Sequence, residues 1–128
     1  MESLPIRRRG IWKREGDTVY LCGTLGIEFD KYHRALSLLS AAKALELQNK
    51  ALQEIESLMD DLEEEARMSL SKGEKLLPRR SPGYGQLSLE KSRDILDKLD
   101  ATVKIGVSIT DSLLLVPSKS VTAICKIV

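Results

Sequence analysis

The chain reads as an α+β domain, and two observations carry that reading. Runs rich in β-forming residues lie far apart, at Thr18–Leu25 and Val121–Val128. Between them, Ile27–Lys72 contains neither Gly nor Pro, so the whole span permits helix. The end strands must pair with each other or with something outside the chain. The helices are then expected to cover one face of the sheet.

The elements follow in order. Thr18–Leu25 is a strand closed by Gly26. Asp30 and Ser40 are both credible N-caps, so the helical span divides into a helix near 27–38 and a long one near 40–71. The long helix carries an apolar seam at Leu45, Leu52, Ile55, Met59, Leu62, Ala66 and Ser69, interrupted at Gln48-Asn49. Lys50, Glu54, Asp61, Glu64 and Glu65 occupy the opposite face. Because the seam is close to a heptad, it also allows a homodimer. Gly73 supplies a C-terminal stop. Ser88 caps a short helix over Leu89–Leu99, whose apolar face is Ile95, Leu96 and Leu99. The pattern then turns to β: Val103–Ile109 alternates, Leu113–Val116 is a short apolar run, Pro117–Lys119 a turn, and Val121–Val128 the last strand.

Composition narrows the function. A length of 128 residues fits one domain, preceded by a basic segment over residues 1–17. Hydrophobic residues make up 42% and charged ones 30%, as in globular proteins, while aromatics at 4% leave the core to aliphatic side chains. A net charge of +1 argues against nucleic acid as the main partner. No apolar stretch is long enough to span a membrane. The cluster Arg7, Arg8, Arg9, Lys13 and Arg14 precedes no signal-peptide core, and is read as a solvated, partly disordered segment of a cytoplasmic protein. Cys22 and Cys125 fit no metal-ligand spacing and read as buried free thiols. A single histidine, His33, excludes any zinc site built on several histidines.

Few residues suggest chemistry. The run Asp60, Asp61, Glu63, Glu64 and Glu65 reads as a solvated helix face. Gly23-Thr24-Leu25-Gly26 lacks the third glycine and the Lys-Ser/Thr ending of nucleotide loops. The remaining candidate is Arg79-Arg80-Ser81-Pro82-Gly83-Tyr84-Gly85. Pro82 stiffens this loop, and Gly83 and Gly85 leave room for close approach to the main chain. Two guanidinium groups and a tyrosine ring suit a small anionic or zwitterionic ligand with a flat ring. The plainer reading is a basic helix–helix connection. Glu64, on the preceding helix, is the nearest type of partner for a ligand ammonium or ribose hydroxyl.

The same residues resemble a known family. Arg79–Gly85 is similar to the Arg-x-x-Pro-Gly-Tyr signature of the activation (reactivation) domain of cobalamin-dependent methionine synthase. Gly106–Ser112 resembles that family's Gly-x-x-Leu-Thr-Glu-Ser, and Leu115–Thr122 its Met-x-Pro-x-x-Ser-Val-Ser. The blocks occur in the family's order and with similar spacing. The resemblance covers residues 18–128 and is strongest after Leu77.

The resemblance implies an α+β fold with a bent antiparallel sheet, a long amphipathic helix and shorter helices. It implies binding of S-adenosylmethionine and methyl transfer to cobalamin carried by a partner, cobalamin-dependent methionine synthase, with an electron from a flavodoxin-type donor. Carried over position by position, Arg79, Ser81, Gly83 and Tyr84 match the ligand loop, and Glu64 matches a glutamate near the amino-acid end of the ligand. The match is to a domain shortened at its N-terminus: the family's ligand-binding aspartate lies upstream of the matched part. A family aromatic near the end falls at Cys125. The alternative is a non-enzymatic interaction or dimerisation module of the same fold that has lost ligand binding.

Overall fold

The computed structural model describes residues 5–128. It begins with a hairpin, β1 (Arg9–Glu15) and β2 (Thr18–Thr24). Two helices follow, α1 (Ile27–Leu39) and α2 (Ala41–Met68), then α3 (Lys91–Leu99) and α4 (Ala101–Ile105). The chain closes with a two-residue pair, β3 (Ser108–Ile109) and β4 (Leu115–Val116), and the long strand β5 (Ser120–Lys126). The architecture is α+β with antiparallel pairing throughout. β2 lies at the centre of a sheet ordered β1-β2-β5, with Thr18 opposite Lys126 and Thr24 opposite Ser120. The strands far apart in sequence thus pair with each other.

The helices cover both faces of the sheet, not one. Side chains alternate along a strand, so β2 and β5 each feed two cores. Val19, Leu21, Ala123 and Cys125 pack with Ile55, Met59 and Leu62 of α2. Tyr20, Cys22 and Ile124 pack with Ile95, Leu96, Leu99 and Ile105 on the other side. Every residue of β2 is buried as a result.

The basic segment expected to be solvated contributes a strand. Residues Arg9–Glu15 pair with β2 along their whole length, Arg9 opposite Thr24 and Glu15 opposite Thr18. Gly16-Asp17 is the two-residue turn, and Gly16 takes a positive φ of 63° there. Ile11 joins the α3 core and Trp12 the α2 core, which is the alternation a strand needs. The basic residues mask this period at sequence level.

Three further expectations change. The buried stripe of α2 is Ala44, Leu47, Ala51, Ile55, Leu58, Met59, Leu62 and Ala66, whereas Leu45 and Leu52 are exposed. Steps of three, four and four follow a straight helix of about 3.6 residues per turn, and a seven-residue repeat drifts about 20° per heptad away from it. The two patterns agree only from Ile55 onward. Asp30 is not an N-cap, because α1 starts after Gly26, and its carboxylate instead accepts hydrogen bonds from the backbone and hydroxyl of Ser118. Ser40 does cap α2, accepting from the Lys43 amide at 3.2 Å.

Val103–Ile109 is not one strand. Ala101–Ile105 is a helical turn that buries Ala101 and Ile105, four residues apart on one side. Asp100 and Gly106 bracket it in the left-handed region, and Thr102 Oγ1 donates to the Val107 carbonyl at 2.7 Å. Burial at a spacing of four overrides the β preference of Thr102 and Val103. At the other end of this helical pair, α3 begins at Lys91, and Ser88 acts just upstream by accepting from the Glu90 amide at 3.2 Å. After α2 ends at Met68, Gly73 falls in the following turn at a φ of 92°.

Candidate functional site

The chain between α2 and α3 runs antiparallel along the outer edge of β5. The Leu77 amide donates to the Lys126 carbonyl at 2.8 Å. Arg80 exchanges two backbone bonds with Ile124, each 2.8 Å. Beyond Arg80 the chain leaves the edge. Alternate residues of an edge strand turn their amide and carbonyl outward, so after Ile124 the next outward-facing pair belongs to Thr122.

A cleft of about 800 Å³ opens at this point. Arg79, Arg80, Ser81, Tyr84 and Gly85 form one wall, and Leu113, Leu114 and Leu115 form another. Glu56 of α2, Leu89 and Ser92 at the α3 end, and Ser120–Thr122 of β5 complete it. The floor is fixed by hydroxyl contacts. Ser92 Oγ lies 3.1 Å from Thr122 Oγ1, and Ser120 Oγ donates to Thr24 Oγ1 at 2.7 Å. Leu113, at the tip of the β3–β4 connection, takes a positive φ of 67°. This is a costly conformation for a leucine, and such conformations concentrate at ligand sites.

The two arginines of the loop have different surroundings. Consecutive residues of an extended segment point to opposite faces. Arg79 turns toward α2 and is held there by three carboxylates. Its Nη1 donates to Asp60 Oδ1 at 2.7 Å and Glu63 Oε1 at 3.1 Å, and its Nη2 to Glu56 Oε2 at 2.8 Å. Burial alone lowers the Arg79 pKa, but the hydrogen bonds to Asp60, Glu56 and Glu63 outweigh it and leave the pKa raised. Arg80 is exposed and lines the same cleft. Among the described residues its guanidinium makes no ion pair.

The other sequence candidates divide. Ser81 and Tyr84 line the cleft, the latter with an exposed ring. Gly83 has a structural task instead: its φ is 91°, its amide donates to the Leu87 carbonyl at 2.8 Å, and a Cβ there would stand 2.9 Å from Leu89 Cδ2. Glu64 is not brought to the loop. It lies in a separate shallow depression with Trp12, Asp61, Glu65 and Met68, and pairs with Arg67 at 2.6 Å. Helical angle explains the difference, because Glu56, Asp60 and Glu63 recur every three or four residues on the Arg79 side and Glu64 is one position round from them. The acidic run is therefore more than a solvated face. Glu56 is the carboxylate that both meets Arg79 and lines the cleft, and only the path of residues 75–80 along β5 reveals it.

The remaining reactive groups stand apart. Cys22 and Cys125 are buried free thiols, and burial pushes each up to about 12. His33 stacks on Phe29 with ring centres 5.7 Å apart. Among the described residues, no group of three or more His, Cys, Asp or Glu side chains is arranged to hold a metal ion. No helix among them is long and apolar enough to cross a membrane.

No protein-family model matches the chain, and no curated protein matches it significantly.

Proposed function

We propose that the chain is an accessory protein for reductive reactivation of cobalamin-dependent methionine synthase, holding S-adenosylmethionine in the cleft and docking on the partner's cobalamin domain. One observation carries this reading. The blocks Arg79–Gly85 and Leu115–Thr122, which bear the family resemblance, are about thirty residues apart in sequence yet line one cleft.

The donor set fits such a ligand in kind. A volume of about 800 Å³ is within the range of small-molecule sites. Arg80 is placed to pair with the carboxylate, and Glu56, beyond its bond to Arg79, with the ammonium. The Thr122 amide and carbonyl offer an adjacent donor and acceptor to the edge of a nucleobase, and Leu113–Leu115 an apolar wall to its face. Tyr84 suits a flat ring or a sulfonium. The bound sulfonium would supply the methyl group, with an electron arriving from a flavodoxin-type donor. The chain itself binds, orients and partly desolvates the ligand; positioning is its contribution to the rate.

Calorimetric titration with S-adenosylmethionine tests the reading. Binding in the micromolar range is expected, with at least a tenfold loss in Arg80→Ala and a smaller loss in Tyr84→Ala. No heat at millimolar ligand overturns it.

A second reading has its own observation. The Arg79 guanidinium is already occupied by three carboxylates, as in a loop that serves only to fasten the chain. On that reading the domain is an interaction module without a ligand. It would bind the cobalamin domain of the partner while giving no heat with S-adenosylmethionine.

A further inference from the structure

The N-terminal half of α2 carries an exposed apolar stripe that ends where the cleft begins, at Glu56. Leu45 is 63% exposed and Leu52 48%. They stand seven residues apart on one face, two turns of helix. Ala41, Gln48 and Asn49 lie in the same sector, so the stripe is uncharged from its start until Glu56. The charged residues of this half, Lys43, Glu46, Lys50 and Glu54, fall in the remaining sector, where Glu46 and Lys50 pair at 3.6 Å. At the α1–α2 corner, Leu38 and Leu39 are each 84% exposed.

The central part of the stripe, from Leu45 to Leu52, reads the same in both directions. From its midpoint between Gln48 and Asn49, an amide side chain is the first residue on either side and a leucine the fourth. A two-fold axis through that midpoint would set Leu45 against Leu52 of a second copy twice. It would also set Gln48 against Asn49, whose amides can each donate and accept across the axis. A polar layer within an apolar helix seam fixes register, because any slip leaves an amide facing a leucine. No like charges meet along the central turns.

We propose that this face is a self-association site, occupied by α2 of a second copy in an antiparallel arrangement. The contact is narrow, so it belongs to the weak, reversible class of interfaces, with a dissociation constant in the micromolar range. The same axis sets Ala41 of one copy opposite Glu56 of the other, so the contact ends at the edge of the cleft; the proposal does not depend on what binds there.

Sedimentation velocity over micromolar to millimolar chain concentration, combined with cysteine cross-linking, tests the proposal. The wild type is expected to pass from monomer to dimer. Leu45→Lys combined with Leu52→Lys should remain monomeric with an unchanged circular dichroism spectrum, since both side chains are already exposed. Gln48→Cys, next to the axis, should form a disulfide-linked dimer on mild oxidation, whereas Ala41→Cys should not. A wild type that stays monomeric, a double variant that still dimerises, or an Ala41→Cys variant that cross-links as readily as Gln48→Cys overturns the proposal.

Discussion

Replacing Arg79 tests how the ligand loop is held. In the folded chain this side chain is 19% exposed and joins the 75–80 segment to three acidic residues of α2. The three bonds are not equal. Glu56 and Asp60 are 64% and 69% exposed, so solvent screening limits each to about 0.3 kcal/mol. Glu63 is only 15% exposed, and a charged hydrogen bond in that setting contributes about 1.5 kcal/mol. Arg79→Ala should therefore cost about 2 kcal/mol. For a chain of this size the melting temperature should fall by about 8 °C. Urea unfolding followed by circular dichroism measures the loss directly. Arg79→Lys should recover only part of it, because an ammonium cannot span three carboxylates in the way a planar guanidinium does. Arg80→Ala should stay within about 0.5 kcal/mol of the wild type, since its side chain has no such partner. In a double-mutant cycle, Arg79→Ala and Glu63→Gln should couple by about 1 kcal/mol. A loss below about 0.5 kcal/mol in Arg79→Ala, or strict additivity with Glu63→Gln, would refute the argument that this ion cluster fastens the loop.

Other contacts of the fold carry expectations of their own. Glu74 accepts from Arg14 at 2.6 and 2.9 Å and also from the Ser71 amide, which holds its carboxyl at about 2 against an ordinary 4.5. Its contribution to stability is complete above pH 4.5 and disappears as the pH falls toward 2, so Glu74→Gln should flatten the acid limb of a stability–pH curve. Cys22 and Cys125, raised to about 12 by burial, should resist thiol reagents at pH 8 until denaturant is added. Because their folded values exceed the ordinary 9.0, they stabilise the fold fully below pH 9 and progressively less from there to 12. Rapid labelling of either thiol in the native protein would contradict the packing described. Gly83→Ala combines a φ of 91° with a Cβ placed 2.9 Å from Leu89 Cδ2, so a loss of about 1–3 kcal/mol is expected in urea titration. An unchanged midpoint would show that the turn adjusts freely.

Much of the fold was legible because its signals are local. Ser40 divides the helices through its own hydroxyl, and a span without Gly or Pro is helical wherever partners exist to bury it. The β2 and β5 runs announce themselves by composition, and each is buried on both faces. β1 escaped notice because Arg9, Lys13, Arg14 and Glu15 are charged, leaving Ile11 and Trp12 as the only apolar evidence of alternation. The site was legible in part. Arg79, Ser81 and Tyr84 were identified from the loop itself, whereas Glu56, Leu113–Leu115 and Thr122 join them only through the fold.

The sequence by itself determined the types of β2, β5 and the three longer helices, and it singled out the Arg79–Gly85 loop by its composition. These depend on capping side chains, local backbone freedom and apolar period, all set by near neighbours. Tertiary structure alone decided which face of each helix is buried, that helices lie on both sides of the sheet, and that Ala101–Ile105 is helical. It also decided that Arg79 faces α2 while Arg80 faces the cleft. Those outcomes depend on side chains that meet across tens of residues. A residue pattern cannot specify them until the sheet edge fixes where residues 75–80 run.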